Sequence, residues 1–282
     1  MDAAFRHCED VTRTADKDRY LAALFAPAER RGALFAPYAF SIEIAGVRDR
    51  AREPMPGEIR LQWWREVLNG ERPFEAAANP IAAALLDTLA RFELPVAPLL
   101  DLIDAHAFDL YNDPMPTLDA LEAYARKISV FGQTAHVLGG NQNAITDVAD
   151  HASIACAITG LLRLFSRHAS RGQIYVPADV LDRHGARAED ILAGHSTPAL
   201  LVTLKEFRDL VRRHLAAFEI LLPKLPAATA PAFLPVSLLP GYLAAMERPG
   251  YDPFKTAIDV PQWRRQWALW RAARRYPASM GG

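Results

Sequence analysis

At 282 residues the chain suffices for one large domain or two small ones, and its 51% hydrophobic content supports a substantial core. A formal net charge of −1 leaves no bulk polyelectrolyte attraction to nucleic acid. The two cysteines, Cys8 and Cys156, match no metal or redox spacing, so a reducing compartment is expected rather than a disulfide-stapled scaffold.

In chain order, Met1 to Asp10 lacks an apolar core and is partly acidic, the pattern of neither a secretory signal nor an Arg-rich transit peptide. Beyond it, apolar residues recur at three- and four-residue spacing and predict helix almost throughout. Ile81, Leu85, Leu86 and Leu89 share one face; Leu99, Leu102, Ile103, Ala107 and Leu110 share another. A helix is predicted after Pro116 with Thr117 as its N-cap. The stretch 147–168 is apolar on most sides, as expected of a central helix. The one β-like patch, Gln173 to Val176, ends at Pro177. Breaks are predicted at 54–57, 70–80, 114–117, 139–145 and 170–185. A Pro-rich joint (Pro223, Pro226, Pro231, Pro235, Pro240) is expected to lead from a main bundle, 1–222, to C-terminal helices within 223–282. No stretch is expected to span a bilayer, since the nearest, 231–246, is interrupted by prolines and too short. The pattern predicts a single all-α domain over 1–282 with ten or more helices.

Two segments carry the chemistry. One is Tyr38-Ala39-Phe40-Ser41-Ile42-Glu43-Ile44-Ala45-Gly46-Val47-Arg48-Asp49. The other runs Gly160-Leu161-Leu162-Arg163-Leu164-Phe165-Ser166-Arg167-His168-Ala169-Ser170-Arg171 and continues through Gly172-Gln173-Ile174-Tyr175-Val176-Pro177. Both resemble signature segments of the squalene/phytoene synthase family. The first family segment reads roughly Tyr-Ala-Phe-Cys-Arg-x-x-Asp-Asp-x-x-Asp. The second reads roughly Asn-Ile-Leu-Arg-Asp-x-x-Glu-Asp-x-x-Arg-Gly-Arg-Ile-Tyr-Leu-Pro. Tyr20 to Arg31 resembles the family's Tyr-x-x-x-Leu-x-x-Pro-x-x-x-Arg segment, although Asp18-Arg19 replaces the usual preceding Ser-Phe. Leu61-Gln62-Trp63-Trp64-Arg65-Glu66 and Asp101 to Leu110 resemble two further family helices. The resemblance implies an all-α isoprenoid-synthase-type helical bundle with a central cavity.

Family enzymes join two prenyl diphosphates by first ionising one. The departing diphosphate needs Mg²⁺ as Lewis acid and clamp. Magnesium needs hard oxygen ligands, which facing helices supply as carboxylates three and four residues apart. Here Ala45 and Gly46 occupy the paired-acid positions and only Asp49 remains; Leu164, Arg167 and His168 replace the second set. Reversing one charge about 4 Å from another shifts the local energy by several kcal/mol at an effective dielectric near 20. No resident cofactor is therefore expected. Magnesium returns only under an alternative, a prenyltransferase rebuilt from carboxylates such as Glu43, Asp49, Asp104 and Asp109. No catalytic residue and no metal ligand is assigned. The resemblance implies a vestigial cavity of Tyr20, Arg31, Glu43, Asp49, Arg163, Arg167, His168, Arg171 and Tyr175. Of these, Arg163, Arg167, His168 and Arg171 are either a solvated, salt-bridged helix end or an anion pocket for a prenyl diphosphate or lipid phosphate.

An offshoot of the family, the mitochondrial respiratory complex I assembly factor of that ancestry and its bacterial relatives, shares the same departures. It resembles this chain at Ala39 to Asp49, Arg60 to Arg65, Phe233 to Leu238 and Tyr251-Asp252-Pro253-Phe254. That likeness implies a non-catalytic helper in assembling NADH:ubiquinone oxidoreductase, with a complex I subunit or assembly intermediate as partner. The expected location is the cytoplasm, with peripheral attachment to the inner face of the cytoplasmic membrane left open. Trp263, Trp267 and Trp270 form a stripe bordered by arginines. The first expectation is a helix docked through its aromatics; a membrane-interface helix or a partner surface are the alternatives. The eight histidines form no His-x-x-x-His pair, so no zinc site is expected.

Overall fold

The computed structural model describes residues 3–51 and 53–275, and within them the regular structure is helical, with no strand. α1 (Ala3–Ala15) and α2 (Lys17–Ala23) meet at Asp16, whose carboxylate accepts the Arg19 backbone N–H and caps α2. α3 (Ala28–Ala45) is buried along most of its length, from Ala33 to Ser41, and forms one wall of the core. Gly46 ends it, and α4 (Val47–Arg50) restarts at once.

α5 (Pro54–Leu68) begins at the proline predicted as a break, because a first-turn proline lacks only an N–H that no helical carbonyl would accept. α6 (Pro73–Ala78) likewise fills part of the predicted break at 70–80. α7 (Pro80–Arg91) is capped by Asn79, which accepts from the Ile81 and Ala82 N–H groups. α8 (Ala97–Ala107) tightens into a 3₁₀ turn at Phe108–Leu110 that turns Asp109 inward. α9 (Leu118–Lys127) starts at Thr117, whose hydroxyl accepts the Ala120 N–H as predicted.

α10 (Phe131–Val137) leads to the central helix, α11 (Gln142–Arg163), which packs against α9, α10 and α15 (Pro198–Leu221, below). α11 starts earlier than predicted because Asn141 caps it, and Leu164 interrupts it before α12 (Phe165–Ala169). α13 (Ala178–His184) ends on Gly185 at φ 65°, a left-handed position suited to glycine. α14 (Ala188–Leu192), α15 (Pro198–Leu221), α16 (Ala230–Phe233), α17 (Leu239–Ala245) and α18 (Gln262–Ala273) complete the bundle.

Three expectations change. The Pro-rich stretch is core wall, not a joint: Pro231, Phe233, Leu234, Pro235, Val236 and Leu238 are buried, and Phe233 stacks on Phe131 with centroids 5.6 Å apart. Its apolar side chains outweigh the hinge signal of its prolines. Two segments, Asn143–Arg163 and Ala227–Ala245, are long and apolar enough to cross a membrane, contrary to the reading of the sequence; more than half of each is buried inside the bundle. Lastly, α18 is not docked through its aromatics. Trp263, Trp267 and Trp270 are 64%, 56% and 41% exposed, whereas Leu269 is fully buried.

Candidate functional site

A cavity of about 480 Å³ opens between α3–α4 and α11–α12. That volume falls in the ordinary range for small-ligand sites. Each position that carries an acid in the family motifs lines it: Ala45, Gly46 and Asp49 from the first, Leu164, Arg167 and His168 from the second. The helices break at Gly46 and Leu164, and Asp49 and Arg167 just beyond those breaks meet across the cavity.

Asp49 closes the gap. Its carboxylate accepts Arg167 Nη2 at 2.6 Å on one oxygen and Arg171 Nη1 on the other. A carboxylate with both oxygens engaged by guanidinium groups has poor capacity left for a metal ion. Arg19 and Arg48 join the lining, so four arginines face three aspartates, Asp16, Asp49 and Asp109. Arg19 lies 3.5 Å from Asp16, and Arg48 has no carboxylate at ion-pair distance among the described residues. Among the described residues the buried Nε of Arg48 also has no hydrogen-bond partner.

The cavity floor is a polar network around Asp109, which is 7% exposed. Its carboxylate accepts the Tyr124 hydroxyl at 2.9 Å and the Tyr175 hydroxyl at 2.8 Å, and meets His106 Nδ1 at 2.6 Å. Gln173 donates to the Asp109 backbone carbonyl at 2.8 Å. Burial, reinforced by the Asp109 charge, raises both tyrosines well above their ordinary range, so they stay protonated as donors. His168 packs edge-on to Tyr175, and burial pushes its imidazole down to about 4 against the opposing pull of Asp109. Near neutrality it is uncharged, so the excess of positive charge in the cavity comes from arginine.

Of the nine cavity residues expected from sequence, Asp49, Arg167, His168, Arg171 and Tyr175 line the cavity; Tyr20, Arg31, Glu43 and Arg163 do not. Tyr20 stacks on Phe35, and Arg31 donates to the Ala26 carbonyl. Glu43 points away and pairs with Arg50 and Arg60. Arg163 lies 3.9 Å from the centre of the Tyr242 ring and 3.8 Å from Asp18, because the chain turns at Leu164 before Arg167. Asp104 is outside as well, paired with Arg65. Of the carboxylates named for a rebuilt prenyltransferase, only Asp49 and Asp109 reach the cavity, and basic or hydroxyl donors hold both. Among the described residues no group of three or more His, Cys, Asp or Glu side chains could hold a metal ion. The donor set does not fit a magnesium cluster. Sequence reasoning missed Arg19 and Arg48 as lining residues; the signal was the Asp18-Arg19 departure before Tyr20 and the basic residue beside Asp49.

A family model of squalene/phytoene synthase matches residues 12–271. A Rattus norvegicus protein described as NADH dehydrogenase (ubiquinone) complex I, assembly factor 6, is 27% identical over 274 residues, spanning 93% of this chain and 82% of its own length. Phytoene synthase of Mycobacterium tuberculosis is 30% identical over 189 residues, 66% of this chain and 62% of its own. The crystal structure of a dehydrosqualene synthase superposes with a TM-score of 0.81 over 96% of each chain at 19% identity, a likeness of fold.

Proposed function

The chain belongs to the squalene/phytoene synthase family, and on that ground we propose that it is a non-catalytic member that assists assembly of respiratory complex I. The observation that carries the non-catalytic part is the double ion pair of Asp49 with Arg167 and Arg171. Facing acids would bind magnesium and draw a diphosphate into reaction. Facing arginines and an aspartate satisfy one another. The assembly role rests on similarity to the complex I assembly factor across 93% of the chain. Its partner is then a complex I subunit or assembly intermediate.

Two experiments test the two parts. Purified protein incubated with Mg²⁺, NADPH and labelled farnesyl or geranylgeranyl diphosphate is expected to release no diphosphate; turnover would overturn the non-catalytic reading. Deleting the gene is expected to lower membrane NADH:quinone activity and complex I content; unchanged levels of both would remove the assembly role.

The four cavity arginines favour a second reading, that the pocket holds an anion without transforming it. Guanidinium forks can bind a diphosphate in place of metal ions. A prenyl diphosphate or lipid phosphate would then bind saturably and without magnesium. Calorimetry showing no heat at millimolar ligand would remove this reading.

A further inference from the structure

We propose that α18 is a docking face for an anionic lipid bilayer, independent of what the cavity binds. The helix has two opposed sides. Leu269 is fully buried, and Ala268, Ala272 and Ala273 pack against the core. Arg265 turns inward to Asp18 and also pairs with the exposed Asp259. On the opposite side Trp263, Trp267 and Trp270 stand at i, i+4 and i+7, one stripe of helical surface. Burying them in the core would have been the ordinary outcome for such large apolar rings. Instead they are 64%, 56% and 41% exposed, and Trp267 stacks on Trp270 at 5.1 Å.

Charge complementarity identifies the occupant. Residues 262–275 hold five arginines and no acid, although the whole chain is near neutral. Arg264, Arg271, Arg274 and Arg275 remain outside the inward ion pair. Arg264 lies over the Trp263 ring and Arg274 over the Trp270 ring, at 5.1 and 4.7 Å. Indole rings prefer the headgroup boundary, where one edge is apolar and the other wet. Arginines at the same level meet lipid phosphates. A second feature adjoins this face. An apolar crevice lined by Leu215, Phe218, Leu222 and Phe233 has Arg271 and Arg275 of α18 among its walls. Exposed Ile220 follows Glu219, another lining residue of this crevice.

The test uses the full chain and vesicles of phosphatidylcholine alone or with phosphatidylglycerol. Flotation is expected with the anionic vesicles, together with a blue shift of tryptophan emission and quenching by lipids spin-labelled near the headgroup. Binding should fall about fivefold for each charge removed in Arg271→Gln and Arg274→Gln, and should weaken as salt rises. Trp267→Ala with Trp270→Ala should abolish flotation; because these rings are exposed, thermal melting should match wild type. Equal flotation with both vesicle types, or unchanged flotation of the tryptophan variant, would overturn the proposal. So would a wild-type dimer in solution that this variant dissolves, since a second copy would then own the face. None of these readouts depends on prenyl turnover or complex I content.

Discussion

Replacing Asp49 by asparagine keeps the shape of the cavity and removes the charge that two arginines share. In the folded protein an anion that engages Arg167 and Arg171 must displace Asp49 from them. The three side chains are between a third and a half exposed, which places each ion pair in the weak range for solvent-screened contacts, about 0.2–1 kcal/mol. The two together therefore oppose anion binding by about 0.4–2 kcal/mol. Asp49→Asn should raise affinity for inorganic pyrophosphate roughly two- to thirtyfold. Titration calorimetry in chelator, with magnesium absent, measures it directly. Arg167→Ala and Arg171→Ala should each move the affinity the other way. If Asp49→Asn leaves binding unchanged, or if wild-type binding requires magnesium, the idea of an internal carboxylate competing for the arginines is wrong.

Three further outcomes follow from buried groups. The His168 imidazole is held down to about 4 by burial, against about 6.5 in an unfolded chain, so the unfolded state takes up its proton first as pH falls. Its contribution is present above pH 6.5 and is lost toward pH 4, amounting to about 3 kcal/mol; His168→Gln should flatten the urea-unfolding stability over that window, and an unchanged pH profile would count against it. Tyr124→Phe removes one donor to the Asp109 carboxylate and should cost about 1.5–3 kcal/mol in the same assay. Gly57→Ala should be destabilising despite its better helix propensity, by about 1 kcal/mol net, because the added methyl would sit 2.5 Å from a methyl of buried Leu110; a more stable variant would show that Leu110 simply turns aside.

Much of the fold was legible because helical period and capping chemistry act locally. Thr117 caps α9 as its position before a periodic run predicts. The misreadings came from residues with two meanings. Pro54 reads as a break but starts α5, and Pro231 to Leu238 reads as a joint but is buried for its side chains. In the site, the aligned acid positions do converge, because motif spacing fixes which turn of helix faces the cavity. Side-chain direction was not legible. Glu43 lies in the first motif yet points to Arg50 and Arg60, and Arg163 is separated from Arg167 by the break at Leu164. Arg19 enters the cavity from α2, far from either motif in sequence, and only tertiary packing brings it there.

The arginines also explain how the two motif segments stay together in this chain. In an acid-rich site, facing carboxylates repel one another until cations arrive, so closure depends on the metal. Substituting Ala45 and Gly46 removes two of those charges, and Arg167 and Arg171 reverse the sign across the gap. Asp49 then joins α4 to α12 directly. On the non-catalytic reading proposed above, the retained acid is a structural counter-ion, and adding a single carboxylate is expected to produce no diphosphate release. An aspartate at position 45 or 46 would meet arginines already lining the same cavity and would pair with them, extending the latch instead of assembling a magnesium site. On the same reading, building a magnesium site here would require removing Arg167 and supplying acids on both helices in the same protein, because each change alone leaves an unbalanced charge in a partly desolvated pocket.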